Sequence, residues 1–427
     1  MATSVLPSIA ALLAGGDERR SAQGWLDARR AQALERANAL AVPSTRDEEW
    51  RFTDLAPLAR KSFKPAVAAD VDAQAVASSF VPEAVARLVF VDGYYAPQWS
   101  VAADGGLVVQ TLQEALKAHA AALEGTLATL APFATRAFTA LNTAHLRDGA
   151  CVRVAKNGAG GIVHLLFVSS QADTANLPRV LVDVAPGAEV TVIEDHVSIG
   201  DAAVLSNAVT EIAVAPTARM RHVRLQRLNT ASYSIGHTAV RVAKDASYLS
   251  QTVTLGARLS RYDLEVVQQG EGAHATLDGL ALIDGRQHAD THTTLDHAAP
   301  HGTSQQLHKT IVGGGAHAVF NGKIIVRPGA QLIDSAQESR NLLLSGKARV
   351  DTKPQLEIFA DDVKCAHGAT VGQLEPEQLF YLRSRGLPET LARSLLTYAF
   401  GAEVIERIPV PSLVRTLEQR VLEQTRL

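Results

Sequence analysis

Between residues 151 and 372 apolar and polar positions alternate with a period of two, as in Val180-Leu181-Val182-Asp183-Val184, Val190-Thr191-Val192-Ile193, Ile311-Val312 and Ile324-Ile325-Val326. Successive side chains of a strand point to opposite faces, so β-branched alternation of this kind predicts strands. The runs are punctuated by turns of similar form: Pro186-Gly187-Ala188, Pro216-Thr217-Ala218, Lys244-Asp245-Ala246, Glu271-Gly272-Ala273, Gly314-Gly315-Ala316, Pro328-Gly329-Ala330 and Ser345-Gly346-Lys347-Ala348. Their alanines are separated by multiples of about 14 residues, a fixed interval of strand plus turn. A unit that short cannot bury its apolar face alone, so neighbours must stack. The chain therefore reads as mainly β, a flattened right-handed parallel β-helix with two strands per rung. A β-sandwich with incidental spacing is the alternative.

The flanks change period. Residues 17–60 are rich in Ala, Arg, Glu and Leu with helical spacing, interrupted at Pro43-Ser44, and a second helical stretch runs from Thr111 to Leu130. Leu88-Val89-Phe90-Val91-Asp92-Gly93 between them reads as a strand entering a turn. After Gly372, Pro376 suits a helix first turn, and that helix ends at Gly386. Pro388 opens another, with Leu391, Leu395, Ala399 and Glu403 repeating every fourth residue, and a third carries Leu413, Leu417 and Val421. Three segments result: a mainly helical 1–148, the solenoid 149–374 and a helical 375–427. An amphipathic helical end of this kind packs as core or docks a partner.

Forty-one basic against 44 acidic side chains leave a net charge of -3 without a basic stripe, which excludes a phosphate-binding surface and hence a nucleic-acid partner. Two cysteines, Cys151 and Cys365, argue against a disulfide framework and for a reducing compartment. The apolar stretch in MATSVLPSIAALLAGG has no Lys or Arg before it, so it reads as a helix of the mature protein, not a secretion signal. No apolar run approaches the roughly 18 residues of a membrane span. A cytoplasmic protein without a membrane partner is expected.

Nucleotide and hydrolase signatures are missing. Gly346-Lys347 is followed by Ala348, with Asn341 where a phosphate-binding loop needs glycine, so ATP hydrolysis would belong to another chain. The Gly313–Ala318 match to a dinucleotide fingerprint runs into Val319-Phe320 instead of a helix. A polysaccharide lyase, the enzyme class that often uses this fold, needs clustered carboxylates and an aromatic groove. Here aromatics are 5% of residues and acidic positions are scattered.

Cys365-Ala366-His367 is the strongest local chemistry. On a strand, residues two apart share a face, and a thiolate with an imidazole suits iron or zinc. Two donors fill half of a tetrahedral shell, so a second chain, a sulfide or water would complete it. The plain alternative is a small buried thiol beside a hydrogen-bonded histidine. His288, His292, His297, His301, His308 and His317, with Asp290 and Asp296, form a second cluster. Strand-like Thr291, Thr293 and Thr294 would place His288, Asp290 and His292 on one face, hydrogen-bonded by default. Cys151 has no nearby histidine and reads as core.

Several stretches resemble the SufB/SufD family of iron–sulfur cluster assembly scaffolds. They are Glu49-Trp50-Arg51-Phe52-Thr53-Asp54-Leu55, Leu295-Asp296-His297-Ala298-Ala299-Pro300-His301, Val319-Phe320-Asn321-Gly322-Lys323 and Val350-Asp351-Thr352-Lys353-Pro354-Gln355-Leu356-Glu357-Ile358. The last continues through Asp361-Asp362-Val363-Lys364-Cys365-Ala366-His367-Gly368, and Leu379-Phe380-Tyr381-Leu382-Arg383-Ser384-Arg385-Gly386 follows. Cys-Ala-His-Gly-Ala-Thr at 365–370 looks like the SufD branch. One departure is Gly302, where many relatives have a cysteine. The resemblance implies a scaffold, not an enzyme, pairing with a SufB-like subunit and a SufC-like ATPase, with homodimerisation possible in isolation. It implies that Cys365 and His367 contribute to a transient iron–sulfur cluster or iron site at the SufB interface. It also implies an ATPase-binding C-terminal helical region, with Phe380, Tyr381, Arg383 and Arg385 as candidate contacts, and no nucleotide on this chain. An adaptor that recruits the ATPase without holding metal is the alternative.

Overall fold

From Gly149 onward consecutive long strands fall in turn on two sheets, and rungs stack in parallel. One sheet runs, in hydrogen-bonded order, Leu107–Thr111, Gly149–Val154, Arg179–Val184, Val209–Val214, Tyr233–Val242, Leu259–Gln268, His288–His297, His317–Val326 and Arg349–Ile358. The other runs Tyr94–Tyr95, Ala86–Val91, Ala159–Ser169, Glu189–Ser198, Arg219–Arg227, Ser247–Thr254, His274–Ile283, Thr303–Val312, Ile333–Leu343 and Val363–Gly372. The chain is therefore a β-solenoid. The computed structural model describes residues 22–103 and 105–424; the apolar N-terminal stretch read above as a helix lies outside them.

The turn interval has a physical cause. Tyr233 pairs with Leu259 and His317 with Arg349, so a rung takes from 26 to 32 residues, two strand-plus-turn units. At successive corners the residue before the alanine is left-handed: Gly187 (φ 70°), Thr217 (φ 60°), Asp245 (φ 53°) and Gly272 (φ 69°). Their N–H groups donate to the corner of the next rung: Gly187 to the Pro216 carbonyl, Thr217 to Lys244, Asp245 to Glu271 and Gly272 to Pro300. The ladder thus continues around the bend and leaves few backbone groups unpaired there. Ala188, Ala218, Ala246 and Ala273 fill the inside of each corner and are buried.

Helices cover both outer faces. Leu26, Leu112, Leu116 and Leu123 pack with Cys151 and Leu181 on the first sheet, and Leu55, Leu58, Phe63 and Phe138 with Tyr233, Ile235 and Leu259. The second sheet's outer residues Val223, Leu225, Val253, Leu280 and Ile311 pack with Val404, Ile405, Leu413, Leu417 and Val421. The strand read at Leu88–Val91 is part of Ala86–Val91, which with Leu107–Thr111 extends the two sheets. One finding differs from the sequence reading. In the Glu389–Ile405 helix the fourfold stripe does not face the core: Leu391 is 43% and Leu395 37% exposed. The helix seats itself through smaller residues, Ala392, Ser394, Thr397 and Gly401. A Cβ at Gly401 would lie 3.4 Å from Ile311 Cδ1, so close approach to the sheet selects these residues.

Candidate functional site at the open end of the solenoid

Val363–Gly372 is the last strand of the second sheet, paired on one side with Ile333–Leu343, Ser335 opposite Cys365 and Gln337 opposite His367. Residues two apart share a face, so Cys365 and His367 both lie on the side of Val363. Val363 and Cys365 pack against Ile324, Val326, Ala330, Ile333 and Leu356 where the core runs out. Cys365 is half-buried and His367 exposed. Burial pushes the Cys365 thiol pKa up, and the negative charge of Asp334 adds to it, which keeps the sulfur protonated and unreactive. Among the described residues no group of three His, Cys, Asp or Glu side chains is placed to hold a metal. Any ion at this pair would need further donors from another molecule.

Apolar residues flank the pair. Leu332, Ile358, Phe359 and Val371 are exposed around the last rung. Arg349–Ile358, the terminal strand of the first sheet, contains Pro354, and a proline without an N–H is tolerated at a sheet edge. Unpaired edges bordered by apolar side chains are a template for another chain.

The histidine cluster divides among three places. His288, Asp290 and His292 share the outer face of the first sheet, where they hold the segment that includes Glu49, Trp50 and Thr53. Thr53 Oγ1 donates to Asp290 Oδ2 (2.5 Å) and lies 2.8 Å from His288 Nε2. Arg261 donates to Asp290 (2.6 Å), Asp263 (2.8 Å) and the Glu49 carbonyl (2.7 Å), with its guanidinium 4.5 Å from the Trp50 ring centre. Burial opposes a charge on His292, but Asp290, 3.0 Å away, and Glu49, at 3.2 Å, raise its pKa. Burial pushes His288 down to about 4, partly offset by Asp290. His317 sits beside His288 with ring centres 4.8 Å apart and pairs with Asp351 at 2.6 Å. His297 and His308 instead point into the solenoid, bonded to Ser304 and stacked on Phe320 respectively. His301 occupies a left-handed corner (φ 60°). The cluster is thus mainly a latch for the N-terminal segment.

Cys151 is fully buried among leucines, its thiol pushed up to about 11 by burial. At Gly302 a Cβ would fall 2.6 Å from Gln268 Oε1 and 2.9 Å from His297 Nδ1, so a side chain at this interior position would require those two side chains to shift. The Pro376–Ser384 helix buries no residue; Phe380 is 75% and Tyr381 57% exposed. Arg385 lies 5.3 Å from the Tyr381 ring centre and Arg383 pairs with Glu389 at 3.3 Å. Sequence reasoning missed Thr53, Glu49 and Arg261 as one unit, because their partners lie more than 200 positions apart in the chain (Thr53 and Asp290 are separated by 237).

The chain is a β-solenoid that ends in two parallel edge strands and carries an exposed helix, Pro376–Ser384, beyond them. Residues 167–400 match the family described as SUF system FeS cluster assembly, SufBD core domain, and residues 18–159 match the SufBD protein N-terminal region. An iron–sulfur cluster assembly SufBD family protein of Synechocystis is 39% identical over 407 residues, 92% of this chain and 90% of that protein. Iron-sulfur cluster assembly protein SufD of Escherichia coli is 34% identical over 397 residues, 91% of each chain. The chain belongs to the SufBD family of iron–sulfur cluster assembly proteins and is SufD-like.

Proposed function

We propose that this chain is the SufD-type scaffold subunit of a cytoplasmic assembly complex, and that it catalyses no reaction itself. The last rung meets a SufB-like subunit edge to edge. Cys365 and His367 contribute a thiolate and an imidazole to a nascent iron–sulfur cluster, or to its iron, at that contact. Phe380, Tyr381, Arg383 and Arg385, with Leu391 and Leu395 alongside, receive a SufC-like ATPase, which supplies the nucleotide chemistry. The observation that carries this reading is the position of the pair: a half-buried thiol and an exposed imidazole on the terminal strand of the second sheet, whose outer edge is unpaired among the described residues.

ATP-driven closure of the ATPase pulls on the C-terminal helices, and the strain opens the apolar packing around Cys365. In its packed state the thiol is held protonated; on exposure or on meeting iron it ionises and becomes a ligand. His367 offers a ring nitrogen from the same face of the strand. No helix of the described residues is long and apolar enough to cross a membrane. The test is anaerobic purification of Cys365→Ala and His367→Ala chains with both partner subunits, followed by iron and sulfide analysis. An intact complex with depleted iron and sulfide is expected. Undiminished content in both variants would leave only the ATPase-recruiting adaptor.

A further inference from the structure

At its C-terminal end the Glu389–Ile405 helix is clamped to the second sheet by charged groups. Lys309 is buried, and its Nζ lies 2.6 Å from Glu403 Oε2 and donates to the Phe400 carbonyl at 2.8 Å. Glu403 also meets Arg340 at 3.3 Å and Arg407 at 3.4 Å. Arg407 reaches Asp278 at 3.0 Å, and Arg340 chelates Glu338 at 2.6 and 2.8 Å. Asp278, Lys309 and Arg340 lie on three successive strands, His274–Ile283, Thr303–Val312 and Ile333–Leu343. Three cations and three carboxylates therefore staple one helix across three rungs. The third of these strands pairs directly with the strand of Cys365 and His367. Arg340 stands opposite Thr370, and the next residue, Asn341, donates its side-chain N–H to the Thr370 carbonyl at 2.9 Å.

We infer that Arg340, held by Glu403, is the positioning residue that passes movement of the C-terminal helices to the terminal strand. This rests on the reading that a partner ATPase moves those helices. Leu391 and Leu395 lie exposed near one end of the helix and Glu403 sits near the other, so a displacement applied at the exposed end arrives at the clamp. Lys309 anchors the helix, while Arg340 joins it to the strand beside the pair. The Arg340 side chain is itself 40% exposed, and what carries its movement onward is the ladder that pairs Ile333–Leu343 with Val363–Gly372 along their length, so a shift of one strand takes its neighbour with it.

Thiol labelling separates this link from the reading beneath it. The complex is assembled with SufB-like and SufC-like chains, and iodoacetamide labelling of Cys365 is followed by peptide mass spectrometry, with and without a non-hydrolysable ATP analogue. Buried Cys151 is the internal control. In the native complex the analogue speeds labelling of Cys365. In Arg340→Gln and Glu403→Gln complexes the rate is expected to stay at its nucleotide-free value while ATP hydrolysis persists, and Arg340→Lys restores the response. Arg340→Gln keeps the Lys309–Glu403 anchor, so it reports even if Glu403→Gln fails to assemble. A native-like response in both glutamine variants overturns the link and leaves the functional reading intact. Absence of any response in the native complex overturns both.

Discussion

At its first rung the solenoid is closed by short antiparallel strands, with Leu107–Thr111 laid on Gly149–Val154 and Tyr94–Tyr95 on Ala86–Val91, whereas its last rung ends in two long parallel strands, Arg349–Ile358 and Val363–Gly372, whose outer edges are unpaired among the described residues. The closed end is also pinned by charge. Glu211 accepts from the backbone N–H groups of Ala128, Thr129, Leu130 and Ala131 and pairs with Arg179 at 2.7 Å, both side chains fully buried. At the open end Val371 is 49% exposed and the family-matching thiol is half-buried. Open edges invite aggregation and are normally blunted. On the proposed function, the end left bare is the one that meets another molecule.

Perturbing the closed end should cost stability, and perturbing the open end should cost association. Glu211→Ala strands the Arg179 guanidinium in the interior; breaking a buried pair in this way removes about 3–5 kcal/mol, read as a lower urea midpoint. Thr53→Val deprives Asp290 and His288 of a buried partner and is expected to remove about 1–3 kcal/mol, with faster proteolysis of the segment around Trp50 as a second readout.

Acid provides the next test. Burial lowers His288 and His297 to about 4, and His237 and His308 to about 3. Unfolded, each would take up a proton near pH 6.5, at about the ordinary histidine value. The unfolded state therefore binds more protons in the window below that, and stability is complete above it and falls as pH drops toward the folded values. His292, with a raised pKa, acts in the opposite sense: its contribution is lost as pH rises through its folded value. His308→Gln should flatten the acid slope measured by denaturation between pH 6 and 4 by up to about 1.4 kcal/mol per pH unit. Smallest in stability is Val371→Lys at the open end, expected within about 0.5 kcal/mol of the parent yet abolishing co-purification with a SufB-like subunit.

The solenoid was legible because its corners impose a local rule, a left-handed residue followed by a buried alanine, visible at Gly187-Ala188 and Thr217-Ala218. Alternation placed His288, Asp290 and His292 together for the same reason: strand geometry is local. What lay beyond reach was tertiary. Nothing near Thr53 announces Asp290, and the period of Leu391 and Leu395 does not say whether the stripe faces sheet or solvent. Burial at the clamp went to Lys309, a residue whose type predicts exposure, because Glu403 and the Phe400 carbonyl meet its ammonium. The Cys365–His367 spacing was readable; that their strand ends its sheet was not.

The most direct measurement is hydrogen–deuterium exchange of this chain with and without a SufB-like partner. Slowed exchange is expected across 349–358 and 363–372, where an incoming strand would engage the free amides, with the closed end unchanged. Unaltered exchange in both terminal strands, with protection appearing elsewhere on the chain, would contradict it.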